Sequence, residues 1–157
     1  MTEILDFLKN MFGNFYLMSV TCSWIMAQII KIFTGYFQEG GFNFKKFLFG
    51  TGGMPSSHSA TVMSLVVASA IVNGAGSYQF AASSLLAIIV MSDAMGVRLE
   101  TGKQAQVINK IVLELFSGKG DTTAHLKELI GHTPFQVFVG AGLGVVVPIV
   151  LRLTVFN

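Results

Sequence analysis

Charge is what this sequence has least of. Ten lysines and arginines and eight acids are spread over 157 residues, so 11% of the chain is charged, where a soluble domain carries about a quarter. The formal net charge of +2 is too small to hold nucleic acid electrostatically. Cysteine is almost absent: Cys22 stands alone, which excludes an internal disulfide and leaves the redox compartment undetermined. It lies in an apolar stretch and reads as a small packed hydrophobe. A signal peptide is not expected either, because "MTEILDFLKNMFGN" has acids ahead of its lysine and no small-residue cleavage site. What fills the space is apolar. The chain is 52% hydrophobic with fourteen phenylalanines, eight methionines and seventeen glycines, a composition suited to lipid, where glycine is more frequent in helices than it is in water.

The length allows one domain, residues 1–157, and the patterning predicts an all-α polytopic membrane bundle. Four segments reach or approach the roughly 20 apolar residues a crossing needs: about Phe15–Phe37, Ser57–Asn73, Phe80–Met95 and Phe135–Phe156. The second and third are short, and "NGAGSYQ" between them is turn-like enough to predict a tight hairpin. Ile4, Leu5, Phe7, Leu8, Met11 and Phe12 predict a short interfacial helix at the start. Between the third and fourth segments lies the long polar stretch "VRLETGKQAQVINKIVLELFSGKGDTTAHLKELIGH". Within it Val107, Ile108, Ile111, Val112, Leu115 and Phe116 recur at helical spacing, with Gln106, Asn109, Lys110 and Glu114 facing away, so an amphipathic helix at the membrane surface is expected. Gln104 and Asn109 read as ordinary polar helix residues.

Four crossings would bring "GTGGMPSSH", the long polar stretch and "GHTP" to one side. Lys45, Lys46, Arg98, Lys103, Lys110, Lys119 and Lys127 all fall there, and the positive-inside rule makes that side cytoplasmic. An integral protein of a bacterial-type cytoplasmic membrane is the expectation, with its active-site face inward.

"GTGGMPSSHS" is the stretch with chemical content. Pro55 suits the first turn of a helix, where its missing N–H costs nothing. The free N–H groups behind it, with the hydroxyls of Ser56, Ser57 and Ser59, would face an anion favoured by the helix dipole. His58 in the first turn can donate a proton to a leaving oxygen, its unperturbed pKa being about 6.5. The plain alternative is a serine-capped helix whose histidine bonds only backbone. A second histidine weighs against that alternative: His132, between Gly131 and Pro134, opens another apolar helix on the same side. Two such histidines can divide nucleophile and acid between them. His125, in polar sequence, reads as a solvated surface residue.

These residues carry a resemblance. "MPSSHS" resembles the proline-serine-glycine-histidine motif of the type 2 phosphatidic acid phosphatase and vanadium haloperoxidase superfamily, and "GHTPFQVFVGAGLG" resembles its last motif. "GTGGMPSSHSATV", "DAMGVRLETGKQAQVIN" and "LKELIGHTPFQVFVGAGLG", in that order from about Gly50 to Gly144, look like the divergent branch of that superfamily. The resemblance implies a membrane phosphatase acting through a phosphohistidine, with His132 as nucleophile, His58 as leaving-group acid and Ser56, Ser57 and nearby N–H groups on the phosphate oxygens. It implies no metal and no cofactor. The sequence departs from the superfamily pattern where a lysine is normally followed seven residues later by Arg-Pro: here Lys31 is followed by Gln38. Leu126 and Gln136 likewise stand where an arginine and an aspartate are expected.

Nearby residues can stand in for the missing groups. Asp93 ends an apolar segment, a costly depth for a carboxylate without a partner or a task, and it can orient His132 or pair with Arg98. Arg98, Lys103 and Lys127, with Lys31 reaching from the first long helix, can supply positive charge, Arg98 best of all by its bidentate fork. For Lys103 and Lys127 a solvated or headgroup-facing role stands beside the catalytic one. The substrate class expected is a lipid phosphate or pyrophosphate. The alternative is a non-catalytic lipid-phosphate-binding or helper protein of the same fold; a soluble haloperoxidase is disfavoured by composition. A homodimer is a further expectation, since one long segment precedes Pro55 where the superfamily core has two. The stripe of Gly140 and Gly144 can serve either a second copy or the chain's own helix beside His58.

Overall fold

The computed structural model describes residues 2–39, 54–116 and 133–156, with the side chains of 35–39, 97–99 and 113–116 outside that description. Six helices make up the described chain: α1 Thr2–Phe12, α2 Phe15–Glu39, α3 Ser57–Asn73, α4 Tyr78–Met95, α5 Val97–Phe116 and α6 Pro134–Thr154. Three stretches are long and apolar enough to cross a membrane, Phe15–Thr34, Tyr78–Val112 and Pro134–Thr154, and the 17-residue α3 is apolar but shorter. At a rise of 1.5 Å per residue α3 spans about 25 Å, less than a hydrocarbon core of about 30 Å.

The burial pattern is inverted relative to a soluble protein. Large apolar side chains face outward, among them Ile88 at 63% exposure, Leu85 at 60% and Phe135 at 66%, while the interior is built from Ser19, Ser23, Ala27, Ala60, Ser64, Ala68, Gly140 and Gly144. In lipid there is no hydrophobic force between helices, so small residues that let backbones approach decide which faces meet. On α2 the buried set Phe15, Ser19, Ser23 and Ala27 repeats every four residues; on α3 Ala60, Ser64 and Ala68 do the same.

α3 sits at the centre and packs against α2, α4 and α6, with α2 also on α6. Contacts at the two ends fix the directions. At one end the Asn73 amide donates to the Tyr16 hydroxyl, and Phe15 meets Phe156 edge to face at 5.2 Å. At the other, Lys31 reaches Ser57, Thr34 reaches Met54 and Ser56 reaches Gln136. α3 and α6 are therefore parallel, and α2 runs against both. The sequence-predicted hairpin between α3 and α4 turns at Gly74, whose φ of 79° suits glycine, and Ser77 caps α4 by accepting from the Phe80 N–H.

Two expectations are corrected. Pro55 does not occupy the first turn of α3: Ser56 takes the N-cap because its hydroxyl accepts from the Ser59 N–H, which leaves Pro55 just outside the helix. The Gly140–Gly144 stripe is not a surface for a second copy. A Cβ on Gly140 would lie 2.3 Å from the Ser56 carbonyl oxygen, and one on Gly144 would lie 2.4 Å from that of Ala60, so the stripe is filled by the chain's own α3.

α1 is a helix with no buried residue, its Ile4, Phe7 and Phe12 all exposed. α5 follows α4 after the turn at Gly96 and leaves Val107, Ile108 and Ile111 uncovered, whereas Asn109 is buried at 6% exposure. Asn109, expected as an ordinary polar helix residue on the face away from Val107 and Ile108, is thus on the buried side of α5. With buried Gly102 and half-buried Ala105 it forms a face of small residues with one amide, turned into the protein.

Candidate functional site

Two helix starts, those of α3 and α6, meet at one end of the bundle, and α2 passes beside them. The Ser56 N–H donates to the Gln136 carbonyl at 3.1 Å, joining the first turns of α3 and α6. Because these helices are parallel, both positive dipole ends lie on this side. α2 adds a cation to them. The Lys31 ammonium donates to the Ser57 hydroxyl at 3.5 Å, and one turn further on the Thr34 hydroxyl donates to the Met54 carbonyl at 2.8 Å and the Lys31 carbonyl at 3.2 Å.

The serines are arranged differently from the sequence-based picture of hydroxyls directed out of the helix end. Ser56, Ser57 and Ser59 are all buried. The Ser59 hydroxyl donates to that of Ser56 at 3.0 Å, and the Ser59 N–H points to the same oxygen at 3.4 Å. The Ser57 carbonyl accepts from the Thr61 hydroxyl at 2.7 Å. His58, by contrast, is exposed in the first turn of α3.

His132, Lys127, Leu126 and His125 lie outside the described residues, but the residue that follows His132 does not. Thr133 is the N-cap of α6: its hydroxyl accepts from the Gln136 N–H at 3.4 Å while the Gln136 side chain accepts from the Thr133 N–H at 3.1 Å. This capping box was legible as Thr133-Pro134-Phe135-Gln136, a Ser/Thr followed three residues later by Glu/Gln. It fixes the chain immediately after His132 and joins it, through the Gln136 carbonyl, to the first turn that carries His58.

Asp93 is half-buried in the last turn of α4. His58 lies fifteen residues before the end of α3 and Asp93 fifteen after the start of α4, so in an antiparallel hairpin both stand about 22 Å from the turn, at one level of the bundle. Arg98 lies in the first turn of α5, its side chain outside the description. Lys103 pairs with Glu100 at 2.7 Å on a face where both are about 60% exposed, the arrangement of a solvated ion pair.

Among the described residues no carboxylate lies within ion-pair distance of Lys31. A half-buried ammonium beside two positive helix ends is an arrangement that an anion relieves, and a phosphate dianion has the charge and the oxygens to accept from all of them.

Comparison with known proteins bears on the same region. The family described as the Divergent PAP2 family matches residues 12–147. The chain is 38% identical over 149 residues to a Bacillus subtilis (strain 168) protein described as the uncharacterized membrane protein YuiD, an alignment covering 88% of this chain and 94% of that one. No solved structure matches.

Proposed function

Because the chain belongs to the Divergent PAP2 family, we propose that it is a membrane-embedded phosphatase that hydrolyses a lipid phosphate or pyrophosphate through a phosphohistidine. The observation that carries this reading is the Lys31 ammonium held at the joined first turns of α3 and α6 with no carboxylate partner among the described residues. The phosphate sits against Lys31 and the first-turn N–H groups of α3, with Arg98 adding charge from α5. The His132 imidazole attacks phosphorus, the bond from phosphorus to the lipid oxygen breaks, and His58 gives its proton to that oxygen. Water then attacks the phosphohistidine, His58 takes the proton of the water, and inorganic phosphate leaves. Asp93, level with His58, orients an imidazole and favours its cationic form.

A lipid substrate suits the depth of the site. Lys31 lies six residues before the end of the apolar segment Phe15–Phe37, about 9 Å along the helix, a depth at which a phosphate can be met while a lipid tail stays in the bilayer. The basic residues of the same side make it the cytoplasmic face of the cytoplasmic membrane. Pairing of two copies would wall the side of the site left open by having a single long helix, α2, ahead of α3.

One observation favours a second reading, a lipid-phosphate binder without turnover. Gln136 stands where the superfamily has its aspartate, and its side chain is engaged in the capping box of α6. The deciding experiment is phosphate release from a panel of lipid phosphates and pyrophosphates by the purified protein in detergent. Release from at least one, lost in His132→Ala, is expected. Tight binding with no release from any would establish the binder; neither binding nor release would defeat both readings.

A further inference from the structure

Lys31 has every physical reason to leave the place where it is found. A lysine in a membrane helix usually carries its ammonium along its long stem toward the headgroups. The first turns of α3 and α6 repel it. What faces it is the hydroxyl of Ser57, the first residue of α3, at 3.5 Å. Ser57 is 4% exposed, so this contact is made inside the protein and not in open water.

From this geometry we propose that Ser57 is the positioning residue for Lys31: its hydroxyl oxygen holds the ammonium at the first turn of α3, where a phosphate meets both at once. The proposal rests on the phosphatase reading for the identity of the ligand, but not for the contact itself. The backbone is set by a separate residue. Thr34, bonded to the Met54 and Lys31 carbonyls, pins α2 against the segment entering α3, so only the four-carbon stem of Lys31 remains to be placed. An ammonium has three donors. One bond to Ser57 leaves two for phosphate oxygens, and at 3.5 Å, the outer limit of a hydrogen bond, Ser57 steers the ammonium without competing for it.

The test compares the full-length protein in detergent with Ser57→Ala, Ser57→Thr, Lys31→Met and the Ser57→Ala/Lys31→Met double variant. Orthovanadate affinity reads the anion site without turnover. Ser57→Ala should weaken vanadate about tenfold, the low end for loss of a hydrogen bond to a charged group, and raise KM similarly while kcat moves by less than about twofold. Ser57→Thr, which keeps the hydroxyl, should restore wild-type behaviour. In the double variant the Ser57→Ala effect should vanish, because a residue acting through Lys31 has nothing to act on once Lys31 is gone. Full additivity, or no effect of Ser57→Ala, overturns the proposal.

Acetylation of the Lys31 amine by a water-soluble succinimidyl ester, read by mass spectrometry, needs no phosphate at all. Ser57→Ala should speed it severalfold as the ammonium moves toward headgroup level. An unchanged rate overturns the positioning role even if phosphate release is intact. A faster rate in a protein that releases no phosphate upholds the positioning role and removes the phosphatase reading.

Discussion

The Ser56 N–H and the Gln136 carbonyl are 3.1 Å apart, and that bond ties the helix carrying His58 to the helix that His132 precedes. It exists because Gly140, one turn further along α6, has no side chain: a Cβ there would lie 2.3 Å from the Ser56 carbonyl oxygen and 3.1 Å from its nitrogen. A packing residue thus sets the spacing of a chemical site.

Gly140→Leu should therefore remove vanadate binding and lower the melting temperature in detergent without changing the mass of the particle. Overpacking alone costs about 1–3 kcal/mol, and here the obstruction is backbone, which cannot rotate away. Gly142→Leu is the control, since nothing lies within 4 Å of its Cβ position. Thermal unfolding and mass measurement of both variants check this. A change of mass with unchanged stability would mean that the stripe serves a partner copy after all.

The helices were legible in the sequence to within a few residues because length and apolar runs determine them. Ser57–Asn73 was found with its observed bounds, and Pro134–Thr154 begins one residue before the expected Phe135. Which faces meet was less legible. Ser19, Ser23 and Ala27 repeat every four residues, but in lipid a small residue is buried as readily as a large one is exposed, so hydropathy gives no inside. The site was legible as motifs and not as bonds. "PSSH" identified a helix start at which an anion is favoured, yet nothing in the letters says that Ser57 turns to Lys31, 26 residues earlier, instead of outward. Gln136 was read only as standing where an aspartate is expected, while its local role, closing the capping box with Thr133, was the one its spacing encoded.

Among the described residues the buried hydroxyls of Ser23 and Ser64 have no hydrogen-bond partner, and Ser64 lies where α3 packs on Gly144 of α6. Removing a buried polar group that has no partner relieves its desolvation cost. Ser64→Ala and Ser23→Ala should leave the melting temperature unchanged or raise it by a few degrees, whereas Ser64→Leu should lower it, because Gly144 packs against the Ser64 backbone. A marked loss of stability in both alanine variants would show that the hydroxyls are bonded in the membrane.

Division of labour between the histidines is measurable with substrates of different leaving groups. His132→Ala should abolish turnover on all of them, since no phosphoryl acceptor remains. His58→Ala should slow esters of poor leaving groups by about 10²–10⁴-fold, the usual contribution of a general acid, and spare those that depart without a proton. A phosphorylated histidine should be trappable by acid-free quenching in the wild type and absent in His132→Ala. Equal loss on every leaving group in His58→Ala would assign His58 to binding instead.

The positive-inside rule predicts an orientation for the bundle, and chemistry from outside the cell can read it. Lys31, Ser57 and the first turn of α6 are at one end of the structure; Tyr16, Asn73 and Phe156 are at the other. Lys45 and Lys46 lie between α2 and α3 and Lys119 follows α5, and the positive-inside rule then predicts a cytoplasmic site end. In a Cys22→Ser background, single cysteines at Lys45 and at Gly120 should be protected from an impermeant thiol reagent in intact cells and react after lysis, while one at Ser77, in the α3–α4 turn, should react in intact cells. Labelling of the first two and protection of the third would turn the site outward and change the pool of lipid phosphates it meets.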